Sequence, residues 1–173
     1  PELGLVVVAD GVGGASAGEV ASRLAVETIA GCFARQSLPR GNRDLALSLA
    51  ESAVGEANRA VWERAQETPG CVGMGTTVVM GFAGADWLAH ANVGDSRLYR
   101  LRGGELEQLS HDHSFIQDVV DQGFFRSRED ARRYGIGDNI LTRALGSARE
   151  VKIHCGSVDT GPGDLFHFCT DGI

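Results

Sequence analysis

The chain contains no Cys-x-x-Cys pair; its four cysteines stand far apart at Cys32, Cys71, Cys155 and Cys169. A chain of 173 residues does not need disulfide stapling, so reduced, mostly buried thiols are expected. A cysteine-nucleophile phosphatase requires Cys-x5-Arg. Six places after the first three cysteines stand Leu38, Thr77 and Gly161, and the chain ends before a sixth place after Cys169, so that class is excluded. No apolar run approaches the ~20 residues of a membrane span, and no signal peptide is recognisable, which points to a cytoplasmic protein. Positive charge is scarce. The net charge of −7 argues against nucleic acid and anionic membrane as partners. Lys152 is the only lysine, a bias that we read as coding preference.

Glycine, by contrast, is abundant. Twenty-four glycines are about twice the ordinary share and imply many tight turns. With 43% hydrophobic residues, the length and composition fit one domain with a substantial core.

Leu3 to Ala9 is a continuous apolar run that predicts a buried strand. Ala17 to Phe33 reads as a helix with Val20, Ala21, Leu24, Ala25, Ile29 and Phe33 along one face. Asp44 to Glu67 reads as a second helix with Leu45, Leu49, Ala53, Ala57, Ala60 and Val61 as its stripe, ended by Pro69-Gly70. The alanines imply close packing against a flat neighbour such as a sheet.

Strands follow at Thr76 to Phe82, Trp87 to Val93, Arg97 to Arg102 and Glu105 to Leu109, joined through hairpin turns. Ser114 to Gln122 reads as helical, and Ser127 with Asp130 resembles a capping box. Val151 to Val158 and Leu165 to Cys169 are two further strands. Hairpin-linked strands with long helices set apart predict an antiparallel sheet covered by helices, an α+β fold. No internal repeat or low-complexity segment is present.

The stretch "VVVADGVGGASAGE" runs from the first strand through glycines into a helix, the usual setting of a phosphate loop. Two such loops fail on particular residues. A Walker loop needs lysine where Glu19 stands, and a dinucleotide fingerprint needs glycine where Ser16 stands. Asp10 at the strand end, followed by Gly11, suits a divalent cation, because hard ions take carboxylates and backbone carbonyls. Taken alone, an Asp-Gly after a strand is more often an ordinary turn, and Glu19 suits the positive end of a helix. Gly94-Asp95 and Asp171-Gly172 repeat the strand-terminal pattern, so the three aspartates could form one ion cluster.

The ordered segments "VVVADGVGG…AGEVAS", "MGTTVV", "ANVGDSRLYRLRGGELEQLSHDHS", "NILTRALG" and "DLFHFCTDG" resemble the metal-dependent protein serine/threonine phosphatases of the type-2C family, bacterial type, across essentially the whole chain. The resemblance implies a four-layer α-β-β-α fold, an antiparallel sandwich with helices on both outer faces. It implies two Mn²⁺ or Mg²⁺ ions with a third in bacterial members, and hydrolysis of phosphoserine and phosphothreonine by a water between the two ions. By resemblance, Asp10 bridges the ions and the Gly11 carbonyl ligates one. Asp171 serves the other ion's shell, Asp95 serves the third, and Gly13-Gly14 line the rim. Residues 115–134 correspond to the family's flap, and Phe124-Phe125 there read either as substrate contacts or as a small core. The implied partners are phosphorylated proteins, the products of a Ser/Thr kinase; oligomeric state is left open.

The sequence departs from the family in three places. Ala15 stands where bacterial members often carry a histidine, so no general acid is assigned. His111 and His113 follow the family pattern near the flap. Family segments before Pro1 and after Ile173 are lacking, so residues 1–173 are expected to be one domain truncated at both ends, without its terminal strands, and weakly active or inactive alone. A phosphatase-like binding or regulatory module without turnover is the alternative.

Overall fold

The apolar run that follows Gly4 forms β1 (Leu5–Val8), shorter than the sequence pattern implies. A computed structural model describes residues 4–13, 15–36, 41–138 and 140–170. β1 is followed by β2 (Gly11–Val12), α1 (Ala15–Ala34) and α2 (Arg43–Glu67). The strands β3 (Gly75–Thr76), β4 (Val78–Ala83), β5 (Trp87–Val93), β6 (Arg97–Arg102) and β7 (Glu105–Gln108) come next. Two short helices, α3 (Phe115–Asp121) and α4 (Arg128–Arg133), precede β8 (His154–Asp159) and β9 (Leu165–Cys169).

The strands build an antiparallel sheet in the order β1-β4-β5-β8 and a second in the order β7-β6-β9, with β2 and β3 as a separate pair. The expected strand Thr76 to Phe82 is therefore two. Thr76 belongs to the small pair and Val78 to the large sheet, with Thr77 held at the corner between them. The strand expected from Val151 begins at His154.

Period-2 alternation divides the core. Trp87, Ala89, Ala91 and Val93 of β5 join Met80 and Phe82 of β4 against α1 and α2. Phe82 packs its ring 5.2 Å from Phe33 and 6.1 Å from Trp87. Alanines at 46, 50, 53 and 57 bring α2 close to its neighbours, as the sequence implies, but Leu45 is 51% exposed and the buried stripe starts at Ala46. Asn42 fixes that helix start, its side chain accepting from the Leu45 amide at 3.0 Å. Because α1 begins at Ala15, Glu19 lies exposed beyond the first turn, and the helix-end explanation of it fails.

The opposite face of the large sheet meets the second sheet through Val79, Leu88, Leu98, Phe166 and Phe168. The Phe168 ring occupies the place a side chain at Gly81 would take: a Cβ there would lie 2.5 Å from the ring. With Leu98 turned inward, Arg97 and Tyr99 face outward. Arg97 binds Asp112, which also pairs with Arg128 of α4, so α3 and α4 are tied to the outer side of the second sheet. α1 and α2 cover the outer face of the first. None of the helices among the described residues is long and apolar enough to cross a membrane. Of the cysteines, only Cys32 is buried; Cys71, Cys155 and Cys169 are half-buried, against the expectation for thiols.

Candidate active site

Asp10 leaves β1 with its backbone fully engaged. Its amide donates to Thr77 Oγ1 at 3.1 Å, and its carbonyl accepts from the Thr77 amide at 2.8 Å and from Thr76 Oγ1 at 2.8 Å. These bonds hold the carboxylate at the start of β4 and leave the side chain half-buried. The next residue, Gly11, lies against Gly18 of α1, where a Cβ would stand 2.1 Å from the Gly18 carbonyl oxygen. Only glycine permits that approach of loop to helix.

Thr77 also reaches the segment that carries the second aspartate. Its hydroxyl is 2.6 Å from Ser96 Oγ, a buried contact beside Asp95. The turn between β5 and β6 passes through Gly94 at φ +99°, with Thr77 against it so closely that a Cβ would lie 2.7 Å from the threonine side chain. Two successive hydrogen bonds, Asp10 N–H to Thr77 Oγ1 and Thr77 Oγ1 to Ser96 Oγ, thus connect the segments that carry Asp10 and Asp95.

The third expected ligand, Asp171, and its neighbour Gly172 lie outside the described residues. Among the described residues, no group of three or more His, Cys, Asp or Glu side chains is gathered to hold an ion. The donors that are described, two carboxylates and an exposed glycine backbone, have the hard oxygen chemistry that Mn²⁺ and Mg²⁺ prefer.

Behind the Gly94–Asp95 turn lies a band of histidines. His90, His154, His111 and His113 follow one another with ring centroids 6.1, 5.8 and 5.9 Å apart. Burial, helped by the nearby His154, pushes His90 down to about 4. His113 is likewise pushed down to about 4, first by burial and then by Arg143, His111 and His154, with Asp112 opposing. His111 instead meets Asp121 at 2.9 Å.

Asp112, between two of these histidines, is buried and fully occupied. Arg97 reaches it with Nη2 at 2.7 Å, Gln108 Nε2 donates at 2.6 Å, and Arg128 completes the set. Sequence reasoning did not single out Thr77, Ser96, Arg97 or Asp112. All four fall inside the quoted motifs, yet no spacing rule pairs them. In the flap-like segment, Phe124 is 71% exposed, while the half-buried Phe125 ring lies tilted 5.5 Å from that of exposed Tyr134.

The family model described as protein phosphatase 2C matches residues 2–173. The chain belongs to this family. The serine/threonine phosphatase stp of Listeria innocua is 33% identical over 169 residues, which are 98% of this chain and 66% of that protein. The chain thus spans somewhat less than two thirds of that relative. It spans 31% of the serine/threonine protein phosphatase PstP of Mycobacterium tuberculosis, at 35% identity over 98% of its own length. The crystal structure of M. tuberculosis PstP/Ppp superposes with a TM-score of 0.83 at 34% identity, covering 96% of this chain and 68% of that one. The PstP catalytic domain in complex with two manganese ions gives a TM-score of 0.80 at 33% identity, over 96% and 66% of the two chains. These likenesses agree with the α+β sandwich built from the strand pairings above.

Proposed function

We propose that this member of the protein phosphatase 2C family is a metal-dependent phosphatase acting in the cytoplasm on phosphoserine and phosphothreonine of proteins modified by a Ser/Thr kinase. The observation that carries this reading is the link through Thr77 and Ser96, which brings the Asp10 and Asp95 segments together within the fold of a two-manganese phosphatase. Asp10, the Gly11 carbonyl and Asp171 are the proposed ligands of two Mn²⁺ or Mg²⁺ ions, with Asp95 serving a third. The strand register supports including Asp171: Cys169 pairs with Arg97, two residues along from Asp95, and Asp171 follows Cys169 by two in sequence.

Such ions, when bound, supply an activated water and neutralise charge on the phosphoryl oxygens. The protein's own contribution is positional. Thr76 and Thr77 hold the Asp10 backbone, and Gly11 and Gly18 let loop and helix meet without side chains between them. The exposed aromatic rings of Phe124 and Tyr134 offer a phosphoprotein an apolar contact.

The test is phosphate release from a phosphothreonine peptide with Mn²⁺, with and without chelator, in the protein and its Asp10→Asn variant. Release that requires metal and falls by at least the ~100-fold known for weaker perturbations of metal sites supports the reading. Metal binding without release would make the chain a phosphatase-like binding module, the alternative left open by Ala15.

A further inference from the structure

Residues 110–113 run beside the end of β5 and pair with it through side chains. Asn92 Nδ2 donates to the His111 carbonyl at 2.7 Å, and Asn92 Oδ1 accepts from the His111 amide at 3.2 Å. Two residues on, the pairing is repeated by other atoms. The Gly94 carbonyl accepts from the His113 amide at 2.9 Å, and the Gly94 amide donates to His113 Nδ1 at 3.1 Å. Both backbone polar groups of Gly94 are therefore engaged by one residue, directly before Asp95. His113 is itself anchored, its carbonyl accepting from the Thr142 amide at 2.9 Å.

We propose that His113 is the positioning residue for the Asp95 turn, acting as a neutral imidazole protonated on Nε2; its bearing on metal rests on the reading of Asp95 as a ligand. An Nδ1 that accepts from an N–H must keep its lone pair, so the ring proton sits on Nε2. That atom is buried without a hydrogen-bond partner. His113 is 2% exposed, so water does not compete for Nδ1. The positive φ of Gly94 and its contact with Thr77 admit only glycine, whose backbone freedom the two bonds to His113 restrict directly before Asp95.

The geometry separates positioning from simple packing. Asparagine places Oδ1 close to where Nδ1 stands and can accept from Gly94. Glutamine carries its acceptor one bond too far, and leucine fills the volume with no acceptor. The first measurement is the ring-nitrogen NMR spectrum of ¹⁵N-histidine-labelled protein near neutral pH, with His113 assigned by difference from His113→Asn. A proton on Nε2 is expected, and one on Nδ1 overturns the proposal.

The second is calorimetric Mn²⁺ titration of wild type, His113→Asn and His113→Leu, with thermal melts alongside and His113→Gln in place of a leucine variant that does not fold. The weakest Mn²⁺ site should be kept in His113→Asn and weakened about 10–100-fold in His113→Leu, as for other groups that hold a metal ligand in place. Equal affinity in wild type and His113→Leu overturns the positioning role, as does equal loss in His113→Asn and His113→Leu. A wild type that binds no Mn²⁺ overturns instead the metal reading of Asp95, and with it the consequence drawn for His113.

Discussion

His90 lies 4% exposed between the sheets, against Gly156 and His154, with no hydrogen-bond partner for Nδ1. It is neutral in the fold, with its pKa lowered from 6.5 to about 4, and becomes protonated below 6.5 once the chain unfolds. Between those values the unfolded chain binds a proton that the folded one refuses, so stability is full above pH 6.5 and declines as pH falls toward 4. His113 acts in the same direction. The His90 contribution is on the order of 3 kcal/mol at most. Urea midpoints at pH 7.5, 6 and 5 should fall in that order, and His90→Gln should flatten the trend; a flat wild-type profile would count against a neutral buried pair. Asp10 makes the contrasting case: its backbone is committed to Thr76 and Thr77, so Asp10→Asn should leave the melting temperature little changed while removing metal-dependent turnover.

At the level of elements, the corner at Thr77 joins the small β2–β3 pair to the large sheet and links the two aspartate-bearing segments. Thr77→Val keeps the volume and removes the hydroxyl, leaving Asp10 N–H and Ser96 Oγ without this partner. It should cost about 1–3 kcal/mol in denaturant unfolding and weaken Mn²⁺ binding by ~10-fold or more. A variant with wild-type stability and affinity would remove Thr77 from the site. Long elements were legible in the sequence: the α1 and α2 stripes are one-dimensional patterns with one face buried. The corner was not, because "GTTVVM" reads as one strand until Thr76 is seen pairing with Gly11 and Leu145. Among the candidate site residues, Asp10 and Asp95 were legible as strand-end carboxylates beside glycine. Asp112 was not legible, since its partners on β6 and α4 come from 15 and 16 residues away along the chain.

Across the whole molecule, Asp112 is the point where β6, β7 and α4 meet. Asp112→Asn leaves the Arg97 and Arg128 charges without their counter-ion and should destabilise the protein by about 3–5 kcal/mol, the loss typical of a broken buried pair. Limited proteolysis should then cut first within 115–134. Cutting unchanged from wild type would show that the segment is held by other contacts. The two sheets, meanwhile, are keyed by an aromatic ring seated over a glycine, Phe168 on Gly81. A single methyl at position 81 works as a wedge. It sits on β4, yet it should prise β9 from its facing layer, and amide exchange in β9 should quicken in Gly81→Ala while β4 itself stays protected. The firmness with which β9 seats on the large sheet is then governed by an atom that the opposite layer leaves out.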